Sequence, residues 1–514
     1  MSDIPASEGR EVITLQLGTL SNRIGVHFWN LQQATLPTTS KSSSLSLAAS
    51  IFDSNVLFES LACSSRPRLL AVDWHDMVDF GAASDWVTQP DPLDSSLWSG
   101  KIDRVFRSDS VRGTNSKTIR SPYWTSCLTP AARHLWFEHN IACLIPEALP
   151  TGVGHADISV TSFFQGVDIL SPGKVFSDEF EDQFRRKIER CSLLNGVQML
   201  VDGEGAFAGI ASRFLDYMDE ELPKRALLAV PVYHTSALSS LDRKGQLLAK
   251  ANQLALLVHL EPSGNHLTRG SWLPFDLSSF NDATDHCFKS GLVAATLDAV
   301  TTWMRLKRSH GGVSLDEFIS TGQQSHGKRM FSPRVGYKTN DERDDHLTWK
   351  SLSPYNLTSE SISVGSNKTI LWRQFTPRGI QVKCLRPFLA DEPSTETSPD
   401  TYHPVFRLPG LQSGAAVRII AAASDLPMCP LLNTNTKRPW CDQPSSVSMI
   451  SVLDMPGNRS SEATGLQRLF DEVRITSSYP PFEDVEKDLW REYLEMAQTC
   501  LVDAYSDNQH ASCG

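Results

Sequence analysis

Arg10–Leu31 reads REVITLQLGTLSNRIGVHFWNL and packs a strand, a turn and a helix into one short stretch. Val12–Leu17 is apolar enough to be a buried strand, and Gly18-Thr19-Leu20-Ser21-Asn22 carries turn chemistry. Ile24, Phe28 and Leu31 then fall at i, i+4 and i+7, one face of a helix. A strand running through a glycine turn into a helix N-terminus is the local grammar by which backbone amides cradle phosphate.

Working outward, the same alternation recurs. Leu69–Val72 is a second strand ending on Asp73, after Arg66-Pro67-Arg68. Ser177–Cys191 predicts a helix capped by Ser177, with acidic residues first, basic residues later, and Phe180, Phe184, Ile188 and Cys191 on one face. Val197–Val201 is a strand, Gly203–Gly209 a glycine-rich loop, Ile210–Met218 a helix with Ile210, Phe214 and Tyr217 inward, and Leu227–Val232 another strand. Strands alternating with helices predict an α/β fold, a parallel Rossmann-like sheet with helices on both faces. Beyond about Arg305 the pattern weakens. Lys307–Pro354 reads as a polar, charged connection and Asp391–Pro404 as an acidic Ser/Thr/Pro-rich one, around a second mixed α/β lobe. The division expected is 1–235 for the nucleotide-binding-type α/β domain with a Ser-rich insert at 35–50, 236–305 for connecting helices, 306–502 for the second lobe, and 503–514 for a disordered tail.

The chain has 514 residues, 40% hydrophobic and 21% charged, an ordinary globular balance with room for roughly two to four domains or one large two-lobed unit. A formal net charge of −11 repels phosphate backbones, so nucleic acid is not an expected partner. The 10 cysteines are scattered and read as reduced, buried thiols. No apolar run reaches the roughly 20 residues needed to span a bilayer. The opening MSDIPASEGREV has neither a basic n-region nor an apolar h-region, so a soluble cytosolic protein is expected.

Gly203–Gly209 is GxGxxxG, neither the dinucleotide pattern nor a P-loop, and by itself reads as a tight turn with close helix–strand packing more readily than as a phosphate loop. Cys127, His134, His139 and Cys143 fit no usual zinc spacing, so no metal is expected. By themselves, Asp73 at a strand end reads as a turn residue and Asn252 on a helix as a buried amide.

Taken in order, the segments resemble the tubulins. Gly18, Asn22, Ile24, Gly25, Phe28 and Trp29 fall where tubulins place their first loop and the helix ending in an aromatic pair. RPRLLAVD (Arg66–Asp73) resembles the tubulin Pro-Arg strand, and CSLLNGVQ (Cys191–Gln198) the run before the tubulin signature loop. Gly203–Gly209 stands where that loop lies, and NQLALLVHL (Asn252–Leu260) resembles the helix whose asparagine contacts guanine. NVLF at Asn55–Phe58, Leu97-Trp98-Ser99-Gly100 and Tyr123-Trp124 point within the superfamily to a resemblance to the Misato family. The resemblance implies a tubulin/FtsZ-like fold and a nucleotide site at Gly18, Asn22, Asp73, Gly203, Gly205, Gly209 and Asn252.

That site departs from the tubulin pattern. Thr19-Leu20 replaces Gln-Cys, Ala206, Phe207 and Ala208 replace Thr, Gly and Ser, and Glu204 brings a negative charge toward a polyphosphate. The acidic loop that completes hydrolysis between subunits has no clear counterpart in Pro262–Phe280, where Asp276 is the nearest acid and reads as solvated. Two lost donors cost on the order of 1 kcal/mol each and the misplaced carboxylate somewhat more, together enough to weaken nucleotide affinity by about two or more decades. The expectation is therefore a vestigial site with no catalytic residues, GTP being the ligand it could retain, in a protein that is not an enzyme. The resemblance further implies a role in mitochondrial distribution, morphology and fusion, exercised from the cytoplasm at the periphery of the mitochondrial outer membrane. Protein partners are implied: the cytosolic chaperonin and mitochondrial surface proteins. The alternative is a GTP-binding and GTP-hydrolysing protein that assembles head to tail.

Overall fold

The computed structural model describes residues 9–36, 50–60, 65–78, 124–128, 142–145, 161–261, 269–280, 286–323, 329–339, 347–356, 370–378, 405–406, 416–419, 429–430, 446–456, 460–475 and 487–503. Most of the Ser-rich insert, Leu97–Gly100, Asp391–Pro404, His134, His139 and the tail after 503 lie outside them.

The N-terminal half is built on one parallel sheet. Strands β1 (Glu11–Leu17), β2 (Leu69–Trp74), β3 (Ala142–Ile145), β4 (Leu194–Asp202), β5 (Ala226–Tyr233) and β6 (Arg269–Trp272) run in the order β3-β2-β1-β4-β5-β6. The short β7 (Phe275–Asp276) continues alongside the end of β5. Every pairing is parallel, with Leu17 level with Val72 on one side and Val201 on the other. β1 is buried at every position because both faces are covered: Ile13, Leu15 and Leu17 enter one apolar cluster and Val12 the other.

Helix α1 (Thr19–Ala34) crosses one face, and Trp29 meets Phe58 edge-on at 5.5 Å. On the opposite face lie α2 (Phe163–Ile169), α3 (Val175–Glu189), α4 (Ala206–Glu221) and α5 (Arg243–Leu260). Phe180 and Phe184 of α3 pack around Phe214 of α4, the closer pair edge-on at 5.0 Å, and burying each ring is worth roughly 1.5–3 kcal/mol. The predicted cap of α3 is corrected: the helix starts at Val175 after an N-cap at Lys174 that makes no side-chain capping bond. Ser177 lies inside the first turn, its hydroxyl donating to the Leu170 carbonyl. Likewise α4 begins at Ala206, four residues earlier than predicted, because only Gly203-Glu204-Gly205 form the turn, and Tyr217 is half-buried.

Lys307–Pro354, expected as a connection, is largely folded. It contains α7 (Leu315–Gln323), which follows α6 (His286–Val300), and strands β8 (Ser332–Thr339) and β9 (Thr348–Ser351). With β10 (Ile370–Arg378), β11 (Val405–Phe406), β12 (Ala416–Ile419), β13 (Cys429–Pro430) and β14 (Ser446–Pro456) they make a second sheet of order β9-β8-β14-β10-β12-β11, β13 pairing with β14. Its pairings are antiparallel except β10 with β12. Trp372, Met449 and Leu453 of this sheet share an apolar cluster with α1 and α6, which therefore lie between the two sheets. Helices α8 (Ser461–Ile475) and α9 (Lys487–Ala497) return to the far side of the first sheet and pack on α5. Among the described residues, no helix is long and apolar enough to cross a membrane.

Candidate functional site

The chain runs from β1 outward to β3, then returns to β4 on the other side of β1. The crevice between the ends of β1 and β4 is therefore the topological switch point, the place where open parallel sheets bind ligands. Gly18 leaves β1 with φ at 107°, a region open to glycine, and its N–H donates to the Val72 carbonyl at 3.0 Å. A Cβ at Gly18 would also overlap the carboxylate of Asp202, at the end of β4.

Asp202 reaches across the crevice to the N-terminus of α1. Its Oδ2 accepts from Leu20 N at 2.9 Å, and its Oδ1 from Ser21 N and Ser21 Oγ, both at 2.6 Å. Free amides and a partial positive charge make a helix N-terminus an anion site, and here a side chain of the same protein meets it. Asp73, at the end of β2 and 1% exposed, takes the next position. Its oxygens accept from Thr19 Oγ1 at 2.9 Å, Trp74 N at 2.9 Å, Asn22 Nδ2 at 3.2 Å and Trp124 Nε1 at 2.8 Å. Asn22 Nδ2 also donates to the Val72 carbonyl at 2.9 Å, so Gly18, Asn22 and Asp73 do come together. His75, two residues beyond Asp73, is exposed in the turn after β2.

The second half of the site is the turn from β4 into α4. Ala206 N, at the start of that helix, donates to Thr161 Oγ1 at 2.7 Å. Asn252, fully buried on α5, accepts from Phe163 N at 2.9 Å and donates to the carbonyls of Thr161 at 2.8 Å and Glu204 at 2.9 Å. Both hydrogens of its amide are thus committed to the main chain. Gly203 lies against the Tyr233 ring, Gly205 against Thr161, and Gly209 against the Phe163 carbonyl of α2. Gly209 is where α2 and α4 touch backbone to backbone, outside the turn. Phe207, 6% exposed, meets Trp74 edge-on at 5.8 Å.

The carboxylates at these strand ends are held toward their neutral forms. Burial raises Asp73 to about 7, aided by the charge of Asp202 and opposed by its hydrogen bonds. Burial lifts Asp202 to about 6 against the bonds from Ser21 and Leu20. Glu204 rises to about 8, through burial and then the nearby Asp276 charge. The expectation that Glu204 faces a polyphosphate is corrected by its contacts, since it accepts from His234 N at 3.2 Å and Gln253 Nε2 at 3.1 Å. Asp276 is corrected too: it is 6% exposed, accepting from Thr235 Oγ1 at 2.5 Å and Ser278 N at 2.9 Å, and burial raises its pKa. Asp202, Thr161 and Trp124 were missed as site residues. The signal for Asp202 was in the sequence, an acid ending a strand just before a glycine turn, but only the strand order puts it opposite α1. Among the described residues, no group of three or more His, Cys, Asp or Glu could hold a metal ion.

Comparison with known proteins agrees with this fold. The family model described as the Misato Segment II tubulin-like domain matches residues 10–119. The zebrafish (Danio rerio) protein misato homolog 1 is 25% identical over 412 residues, 67% of this chain and 68% of that protein. Protein dml1 of Aspergillus oryzae is 23% identical over 319 residues, covering 58% of this chain and 62% of its own length. Protein misato of Drosophila melanogaster is 24% identical over 266 residues, 44% and 45% respectively. The aligned region thus spans about half to two thirds of these relatives. The resemblance to the Misato family and the tubulin-like α/β fold are both borne out.

Proposed function

We propose that this Misato-related chain is a non-catalytic tubulin-fold protein that works by binding other proteins, in the distribution, morphology and fusion of mitochondria. The observation that carries the non-catalytic half is Asn252. In the tubulin-like register it would read guanine, yet its amide ties Thr161 and Glu204 together and closes the turn where phosphates would lie. Thr161 on the N-terminus of α4 and Phe207 against Trp74 support the same reading, as does the loss of hydroxyl donors at Ala206 and Ala208. GTP binding and the seven residues assigned to it are in this view an inherited frame. The mitochondrial half rests on the family resemblance alone. On this reading the protein works in the cytoplasm, at the periphery of the mitochondrial outer membrane, with mitochondrial surface proteins and the cytosolic chaperonin as partners.

Purified protein should release no guanine nucleotide on denaturation, by mass analysis. Its melting temperature should not move in millimolar GTP, whereas a ligand at about 100 times its Kd adds about 2.7 kcal/mol. Co-purifying nucleotide, or a shift of several degrees, would establish the GTP-binding alternative. Cells depleted of the protein should show an altered mitochondrial network, and a normal network would remove the organelle assignment.

A further inference from the structure

We propose that Lys187, Arg66 and Arg190 form an anion site at the foot of the first sheet, and that its ligand is inorganic phosphate or a phosphate monoester.

The site is built where the end of α3 meets the N-terminal ends of β1 and β2 and the hairpin that pairs Phe58–Ser60 with Ser65–Pro67. Lys187, in the last turn of α3, is 7% exposed, and its Nζ is buried without a hydrogen-bond partner. Buried charges are normally paired, because water no longer solvates them. The groups acting on Lys187 are instead mostly of its own sign. Burial, and then the charges of Arg190 and Arg66, lower its pKa to about 8, with Glu59 opposing. The nearby carboxylates are already committed. Glu59 accepts from Arg66 Nη1 across the hairpin at 3.4 Å, and Glu11 accepts from Arg68 Nη2 at 2.6 Å and Leu193 N at 2.8 Å. Cys191, one turn beyond Lys187, stays a neutral thiol, its pKa raised by burial to about 11. Arg66, Arg68, Lys187 and Arg190 thus meet only Glu11 and Glu59, a local surplus of positive charge in a chain of net charge −11. The helix dipole favours basic residues in a last turn, but a solvated side chain would satisfy it. It does not account for an ammonium buried beside two guanidinium groups.

The ligand class follows from the groups left over. Lys187 Nζ and the buried Nε of Arg66 are donors without partners, and exposed Arg190 gives the cluster a solvent side. Donors alone, with surplus positive charge, suit an acceptor-only group of about two negative charges, which a phosphate monoester is and a carboxylate is not. The site stands whether or not the crevice binds nucleotide, since it lies at the opposite ends of the same strands.

The full chain is compared with Lys187→Met by thermal melting and calorimetric titration, in about 10 mM inorganic phosphate against sodium chloride of matched ionic strength. The unmodified protein should gain a few degrees from phosphate and nothing from chloride. Lys187→Met keeps the apolar stem and removes the buried charge, and should bind phosphate at least about tenfold more weakly. Arg190→Gln, on the exposed side, supplies the same comparison if Lys187→Met is insoluble. Flotation with phosphatidylcholine vesicles carrying phosphatidic acid or phosphatidylserine separates the two sources of the anion. A response to phosphate in solution assigns a free anion. Binding to phosphatidic acid vesicles alone, lost in the variant, assigns a lipid headgroup. An unmodified protein that answers neither phosphate nor phosphatidic acid overturns the proposal, as does a folded variant that binds as tightly as the unmodified protein. Either failure leaves the non-catalytic reading standing, because GTP at the crevice decides that reading.

Discussion

Asn252 makes three hydrogen bonds without exposing any of its surface, two of them to carbonyls that lie 91 and 48 residues away in the chain. Asn252→Ala would orphan the Phe163 N–H and the carbonyls of Thr161 and Glu204. Each orphaned buried group costs about 1–3 kcal/mol, so a loss near 3 kcal/mol is expected in urea denaturation. A loss below about 1 kcal/mol would mean the amide is not the tie described. Residue identity was legible in the sequence, and residue role was not. A buried asparagine on that helix fits a base reader or a packing tie, and Thr161, which decides between them, lies in a segment with no sequence signal pointing to it.

Four of the parallel strands, β1, β2, β4 and β5, were legible because a strand covered on both faces must be apolar nearly throughout, whereas the four-residue β3 and β6 are too short to stand out. β8 was not. It belongs to a largely antiparallel sheet, with Val335 buried while Arg334 and Lys338 are half-buried, so its residues read as a charged connection. Helix starts were displaced at α3 and α4 because neither is capped by its own N-cap side chain. At this scale the strand-end carboxylates make stability depend on pH. Asp73, Asp202 and Glu204 have folded pKa values of about 7, 6 and 8, above their ordinary values of 3.8, 3.8 and 4.5. A raised acid favours folding while protonated, so the benefit is full below about pH 4 and is lost as pH climbs through 6 to 8. Buried His27, lowered to about 4, opposes this only below its ordinary 6.5, where protonation disfavours the fold. Between pH 6.5 and 8 the carboxylates therefore act without it, and the melting temperature should fall by a few degrees. Glu204→Gln should reduce that fall, and a flat profile in the unmodified protein would contradict the burial of these groups.

Across the molecule, the two sheets are tied through a polar knot rather than by apolar packing alone. Asp298 of α6, 1% exposed, accepts from Gln32 of α1 at 2.7 Å and from Arg305 at 2.8 Å, and pairs with Arg378 of β10 in the second sheet. Arg305 closes the ring on Gln32 Oε1 at 2.6 Å and lies over the Phe52 ring at 5.0 Å. Removing one partner of a buried ion pair strands the other charge, so Asp298→Ala should cost about 3–5 kcal/mol. Denaturation followed both by tryptophan fluorescence and by far-ultraviolet circular dichroism should show both signals shifting together. A loss confined to one signal would show that the sheets unfold independently. None of this knot was legible in the sequence, since its members are brought together from positions 32 to 378 by the layering of two sheets.

The contact between Asp202 and the first turn of α1 also has a consequence in time. Leu20 and Asp202 are 182 residues apart, so at about 5–20 residues per second the ribosome needs roughly 10–40 s to deliver the second after the first. Throughout that interval β1 lacks its β4 neighbour and the amides of α1 lack their acceptor. The nascent chain thus carries an open strand edge and an uncapped helix for longer than most small domains take to fold. That delay gives the proposed chaperonin partner a definite task, shielding the N-terminal strand until β4 has been made.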